Sequence, residues 1–243
     1  MGALLRKEIR SFLSSLIGYV VISIFLLIMG LFTWIFPGDL NILDMGFATL
    51  DSLFYAAPWV FMFLIPAITM RSFSEEKRTG TIELLFTKPI TDWQIVVSKY
   101  VAGLVLVVIS ILPTLVYFLS VRALGDPPGN IDTGGMWGSY IGLVFLASGF
   151  VAIGLFASSI TSNQIISFLL AVFLCFFMYS GFQQLGSFEL FGTFDNYIIK
   201  MGMQDHYDSM SRGLIDSRDV LYFAAFTLIF LFGARTIIQS RKW

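Results

Sequence analysis

The chain has 243 residues, of which 57% are hydrophobic and 13% are charged, and its mean hydropathy is +0.83. A soluble domain carries about 25% charged residues, so this composition indicates an integral membrane protein. The net charge of -1 argues against nucleic acid as a partner, because such a partner would need a concentrated basic face and none is visible in the sequence. The single cysteine, Cys175, excludes an intramolecular disulfide.

The N-terminal stretch MGALLRKEIRSF mixes apolar and basic residues in a pattern that predicts a short amphipathic helix at the membrane interface. The uncharged run that follows predicts a first membrane span over residues 13–36. A cleaved signal peptide is the competing interpretation, but the apolar run far exceeds a signal core and no small-x-small cleavage site follows it.

Two further spans flank the most highly charged interval of the chain. Uncharged runs predict spans over residues 52–70 and 100–121, with Pro58 and Pro66 expected to kink the second span. The interval between them, residues 71–99, is expected to lie on the cytoplasmic side.

The second half of the chain predicts three more spans. Residues 133–188 carry no charge, which suits a hairpin of two spans over 138–160 and 165–181, with a sixth span over 220–238. Small residues spaced four apart favour close helix packing within the chain over a dimer motif. They form the pairs Gly138 and Gly142, Ser148 and Ala152, and Gly154 and Ser158.

The segment 182–219 is too long for a simple connection, and its mixture of aromatic, glycine and acidic residues predicts short interfacial or re-entrant helices on the outer side. We expect its lone histidine, His206, to be solvated rather than catalytic or metal-binding.

Basic residues are distributed asymmetrically between the two sides of the predicted bundle. With both termini in the cytoplasm, the inner side holds Arg6, Lys7, Arg10, Arg71, Lys77, Arg78, Lys88, Lys99, Arg235, Arg241 and Lys242. The outer side keeps only Arg122, Lys200, Arg212 and Arg218. This positive-inside pattern predicts six spans with both termini inside, in one all-α transmembrane domain covering residues 1–243.

Several chemistries lack their characteristic residues. No predicted span carries an ionisable residue in its central part, which disfavours a secondary carrier or channel. The chain has no GxxxxGK[ST] phosphate loop, no GxSxG and no HExxH. We therefore predict no catalytic site, no metal site and no cofactor, and any energy must come from a partner.

The charged interval has its own helical signals. Glu75, Glu76, Lys77 and Arg78 extend the second span's helix, and Gly80 ends it. Thr81 can cap a second short helix in which Ile82, Leu85 and Phe86 share one face, and Lys88 and Pro89 end that helix. Thr91 and Gln94 form a capping-box pattern that opens the helix of the third span. This predicts an amphipathic foot between two helices, suited either to docking on a soluble motor or to resting at the headgroups.

The foot carries a pattern of the form E-E-K-x-x-G-T-x-E-x-L-x-x-x-P, which resembles the cytoplasmic segment before the third span of ABC-2 type permeases. The matching residues are Glu75, Glu76, Lys77, Gly80, Thr81, Glu83, Leu85 and Pro89. The stretches LLRKEIRSFLSS, NIDTGGMWGSYIGL and SRGLIDSRDVLYF, with the terminal SRKW, resemble more narrowly the gliding-motility permease subunits of the GldF type.

The resemblance implies an elbow helix before span one, a coupling helix between spans two and three, and outer re-entrant helices between spans five and six. It also implies a bacterial inner-membrane protein that works with a separate ATP-binding subunit, GldA-like for the GldF type. A second permease half, either another copy or a GldG-like chain, is implied as well.

Two functions follow as hypotheses. In the first, the chain is a permease subunit whose Glu75, Glu76 and Glu83 pair with basic groups of the ATPase, while Ile82, Leu85 and Phe86 fill a groove on it. In the second, the chain is a membrane anchor that assembles a motility or secretion complex without transporting anything.

Overall fold

The computed structural model describes residues 2–87, 89–188 and 192–240. Every regular element in these ranges is a helix, and six of the helices are long and apolar enough to cross a membrane. The predicted all-α membrane fold with six spans is confirmed. Lys88, Arg241 and Lys242, which entered the charge count above, lie outside the described residues.

The first two helices form the elbow and span one. Helix α1 (Gly2–Leu13) is amphipathic and has no buried residue, as the sequence predicts. Helix α2 (Leu16–Gly30) begins after Ser15, whose Oγ accepts a hydrogen bond from the Gly18 amide at 3.1 Å. It continues through a wide helical turn, Leu31–Ile35, to complete span one.

Spans two and three hold the charged interval between them. After the short α3 (Ile42–Met45), span two consists of α4 (Asp51–Thr69) and α5 (Arg71–Arg78). Helix α6 (Thr81–Phe86) follows, and span three consists of α7 (Asp92–Ile111), a tight turn that contains Pro113, and α8 (Leu115–Leu124).

Helix α9 (Thr133–Ile160) is span four and the centre of the bundle, because 78% of its apolar stretch is buried by the other helices. Its small residues explain this position, because a side chain at Gly138 would collide with Gly213 and one at Gly142 with Met210 Cβ. At Gly154 the obstacle would be Thr69 of α4. The predicted close packing within the chain is confirmed.

The remaining elements complete the fold. Span five consists of α10 (Gln164–Phe176), a wide turn and α11 (Phe182–Ser187). Two short helices follow, α12 (Asp195–Met201) and α13 (Met203–Met210). Span six is α14 (Ser217–Gln239). We call the end of the bundle that holds α1, α6 and the end of α14 the terminal end. Helices α12 and α13 lie at the opposite end.

The opposite-end helices are fixed to span two by Tyr207. Pro58 has no amide hydrogen, so it leaves the carbonyl of Phe54, four residues earlier, without its helical partner. The Tyr207 hydroxyl donates a hydrogen bond of 2.7 Å to this carbonyl. Burial raises the pKa of the Tyr207 phenol well above its ordinary value, so the hydroxyl keeps the proton that it donates.

The environment of His206 differs from the predicted solvated loop. Its Nδ1 lies 2.7 Å from Asp219 Oδ1, its Nε2 lies 3.0 Å from the Lys200 carbonyl oxygen, and its ring stacks on Tyr222. The solvated-loop prediction is therefore wrong, because the turn between α12 and α13 brings the imidazole against α14.

Replacing Tyr207 with Phe should lower the free energy of unfolding by about 1–3 kcal/mol, because a buried carbonyl loses its donor. In a Pro58→Ala background the amide of residue 58 can bond the Phe54 carbonyl, so the same replacement should cost much less. Denaturation of the four variants in mild detergent measures the difference. Equal losses in both backgrounds would show that the Phe54 carbonyl is not the reason for the bond.

Candidate functional site

The segment α5–α6–α7 forms a helical corner at the terminal end. Gly80 separates α5 from α6 and has a backbone φ of +71°, a conformation that residues other than glycine rarely adopt. The last turn of α5 is closed by the Thr79 amide, which donates to the Glu75 carbonyl at 2.9 Å. The predicted stop at Gly80 is confirmed. Thr81 is the first residue of α6, so the cap position is Gly80 rather than Thr81, and the Thr81 hydroxyl lies 2.9 Å from that of Thr79.

The exposed face of α6 differs from the predicted one. Ile82 is buried against the protein, while Glu83 and Leu84 are exposed, Leu84 to 64%. The prediction that Ile82 faces outward is therefore wrong, and Leu84 takes that place. The side chains of Leu85 and Phe86, predicted on the same face, lie outside the described part of the structure.

Helix α7 begins as predicted. The Gln94 amide donates to Thr91 Oγ1 at 3.3 Å, and the Thr91 amide donates to Gln94 Oε1 at 3.1 Å, which completes the capping box. Pro89, exposed, precedes this helix. The early start of α7 places Lys99 two turns inside the helix rather than at the end of a loop.

The buried ammonium of Lys99 is the centre of a charge cluster that joins three helices. Its Nζ lies 3.0 Å from Glu8 Oε1 of α1 and 3.0 Å from Glu76 Oε1 of α5. It also donates to the Ser72 carbonyl at 2.7 Å and lies 5.1 Å from the centre of the Phe73 ring. Two carboxylates and a carbonyl oxygen thus surround the ammonium, which is the condition for burying this charge.

Lys7 extends the cluster towards solvent. Its Nζ lies 3.4 Å from Glu76 Oε1 and 3.7 Å from Glu8 Oε1, but its side chain is 60% exposed. Its contribution to stability is therefore small compared with that of Lys99.

Glu76 was predicted to meet a partner protein. Its side chain is instead buried and paired with Lys99 and Lys7. The prediction for Glu76 is therefore wrong, and its carboxylate stabilises the contact between α5, α7 and α1 within the chain. Glu75 and Glu83 are the more accessible acids of the corner.

A second set of bonds fixes α5 to the end of α9. The Lys77 ammonium donates to the Ser159 carbonyl, and the Phe73 amide donates to Ser158 Oγ at 2.8 Å. Lys77 thus acts within the chain, as Glu76 does, and α5 cannot shift without α9.

A groove of about 400 Å³ lies between α1, α5 and α7. Charged groups of the cluster line it together with Ser11, Ser72 and Thr79. Among the described residues no group of three or more His, Cys, Asp or Glu side chains could hold a metal ion.

Sequence reasoning missed the roles of Lys99 and Glu8. Lys99 is the only charged residue between Asp92 and Arg122 of span three, and together with the capping box this isolation was a usable signal. Nothing local to Glu8 predicts its pairing, because its partner is 91 positions away.

Comparison with known proteins identifies a family for this chain. A family model described as ABC-2 family transporter protein matches residues 2–211, from the elbow helix through α13. The chain belongs to this family. No curated protein matches the sequence significantly.

Membership in the ABC-2 family makes the chain a membrane component of a transporter and not itself a catalytic subunit. Members of this family generally work with an ATP-binding partner subunit. Six apolar helices and the family assignment together make this a multi-pass membrane protein.

Replacing Lys99 with Met should lower the free energy of unfolding by about 3–5 kcal/mol, because Glu8 and Glu76 lose the charge that compensates them. The exposed Lys7→Met is the matched control and should cost about 0–1 kcal/mol. Denaturation in mild detergent measures both.

A triple variant tests the reason for the loss. Adding Glu8→Gln and Glu76→Gln to Lys99→Met removes the uncompensated acids and should restore most of the stability. If the triple variant is as unstable as the single one, packing rather than charge accounts for the role of Lys99.

Proposed function

We propose that the chain is the permease subunit of an ABC-2 type ATP-driven transporter and that α6 is the coupling helix that contacts the separate ATP-binding subunit. One observation carries this proposal: α6 presents an acid and a large apolar side chain, Glu83 and Leu84, to the outside at a corner between two membrane helices. An exposed leucine beside an acid matches a partner groove that is apolar with a basic rim.

The contacts behind α6 determine what a movement of α6 would do. Because Lys99 joins α5 and α7 through Glu76 and joins both to α1 through Glu8, a displacement of the corner moves these three helices together. Lys77 carries the movement on to α9 at the bundle centre. ATP-driven closure of the partner would then rock the spans between two states.

The predicted coupling residues divide into two roles in this mechanism. Glu75, Glu83, Leu85 and Phe86 belong to the contact with the ATPase, together with Leu84. Positioning roles fall to Glu76, Lys77, Gly80, Thr81, Ile82 and Pro89, which shape the corner and fix it to the bundle.

We further propose that this transporter serves gliding motility, as a subunit of the GldF type. The support is the resemblance of LLRKEIRSFLSS, NIDTGGMWGSYIGL and SRGLIDSRDVLYF to such subunits. On this proposal the ATPase is GldA-like, and the second permease half is another copy or a GldG-like chain. Residues 1–243 would act as one transmembrane domain in a bacterial inner membrane.

Glu83→Lys and Leu84→Asp should each abolish co-purification of the ATP-binding subunit from native membranes in mild detergent. Both side chains are exposed, so neither change should reduce the amount of protein in the membrane. Asp39→Lys is the matched control, because it reverses an exposed charge at the opposite end of the bundle. It should retain the partner.

Two results would contradict the coupling proposal. One is retention of the ATPase by both α6 variants, and the other is function with a hydrolysis-dead ATPase. The second result would instead favour a membrane anchor that does not transport.

Orientation follows from the same proposal, with α6 and both termini in the cytoplasm. In a Cys175→Ser background, a cysteine at Thr79 should resist a membrane-impermeant thiol reagent in intact cells, and one at Asp39 should react. Permeabilised cells should label at both positions. Labelling of the Thr79 position in intact cells would reverse the proposed orientation.

A further inference from the structure

A long apolar groove runs along the side of the bundle away from α4. Its volume is about 750 Å³, its floor is α9, and its walls are α7 and α14. Side chains along it include Val97, Val101, Leu104, Val108, Val144 and Leu228. The groove thus joins spans three, four and six on one face.

The groove is as long as the hydrocarbon core of a bilayer is thick. It extends along α7 from Trp93 to Ile111, a rise of about 27 Å along the helix. The hydrocarbon core measures about 30 Å. Because Leu228 at its wall is partly exposed, an acyl chain can enter the groove from the side.

None of the described residues that line the groove is charged. Two of its lining hydroxyls contact each other, because Ser148 Oγ lies 3.4 Å from Thr227 Oγ1. A soluble anion or a polar substrate has nothing to pair with along this length, whereas an acyl chain does not need such pairing.

The terminal end of the groove is different, because a cation lies there. Arg235 follows Leu231 by one turn of α14, and its guanidinium carbon lies 6.0 Å from the centre of the Trp93 ring. Trp93 in turn stacks on Phe232, with ring centres 4.9 Å apart. An aromatic ring and a guanidinium together at the end of a span are typical of the headgroup level.

Arg235 also has a hydrogen-bond donor without an acceptor. Its Nε is buried and has no hydrogen-bond partner, and the ion pairs of the described residues do not include Arg235. The ion pairs among the described residues leave the positive charge of this guanidinium uncompensated, so the position favours a ligand that brings an anionic oxygen.

We propose that this groove is a binding site for an anionic phospholipid, with the phosphate on Arg235 and an acyl chain between α7 and α14. A guanidinium binds phosphate through paired hydrogen bonds, and Trp93 borders the junction of headgroup and chain. The ligand must combine a negative charge with a long apolar tail, because the described residues of the site supply one cation, Arg235, beside an apolar groove.

Trp93 reports on the site directly. In a full-length variant that keeps Trp93 and carries Phe at Trp34, Trp59, Trp137 and Trp243, its fluorescence is measured in phosphatidylcholine vesicles with increasing amounts of a brominated lipid. Brominated phosphatidylglycerol should quench Trp93 at about tenfold lower mole fraction than brominated phosphatidylcholine, the preference expected of one charge-assisted contact.

Two arginine variants separate the site from general surface charge. Arg235→Gln should abolish the preference for phosphatidylglycerol, while Arg122→Gln, at the opposite end of span three, should leave it unchanged. Equal quenching by the two lipids before any arginine is changed overturns the proposal. An equal loss of preference in both variants also overturns it.

A second measurement uses the chain with all its tryptophans. Phosphatidylglycerol retained by protein purified in mild detergent should fall several-fold in Ala224→Phe, which fills the groove, and not in Ala225→Phe, which lies beside it on α14. If both variants keep the lipid equally, the groove is not where the acyl chain lies.

Discussion

A buried lysine ammonium needs acceptors on every donor, and meeting this need at Lys99 organises the terminal end of the molecule. Its three acceptors come from α1 and α5, so an elbow at the membrane surface, the extension of span two and the start of span three share one electrostatic centre. Loss of Lys99 would leave Glu8 and Glu76 with only the exposed Lys7 as a cationic partner. The corner that carries α6 is therefore fixed to the bundle on one side and exposes Glu83 and Leu84 on the other, as the proposed coupling role requires.

The centre of the bundle obeys a different constraint, which is the close approach of backbones. Small residues of α9 let Thr69 of α4, Met210 of α13 and the turn at Gly213 approach its axis. Pro58 creates a vacancy in the hydrogen bonds of α4, and Tyr207 from the opposite end occupies it. Span two is consequently held at both ends, by the Lys99 cluster and by Tyr207, while the face between spans three and six stays open as a groove.

Much of this arrangement could be predicted from the sequence, because the signals for it are local. Apolar runs predict the six spans, the Thr91 and Gln94 pattern predicts the start of α7, and Gly80 predicts the break before α6. The orientation of individual side chains could not be predicted in the same way. Whether Glu76 and Ile82 face a partner or the bundle depends on Lys99 and on neighbours far along the chain, and His206 depends on Asp219 in another helix. Periodicity identifies a face, but only tertiary contacts decide what that face meets.

The distance along the chain between the partners in the Lys99 cluster also sets an order of assembly. Glu8 and Lys99 are 91 positions apart, and α1 buries no residue of its own within the bundle. During synthesis α1 emerges before its partner lysine, which enters the membrane only after spans one and two have been made. The elbow must therefore wait at the lipid surface, held by its amphipathic face, until span three arrives. Helix α1 thus reaches its final contacts only once span three has been synthesised, well after α1 itself.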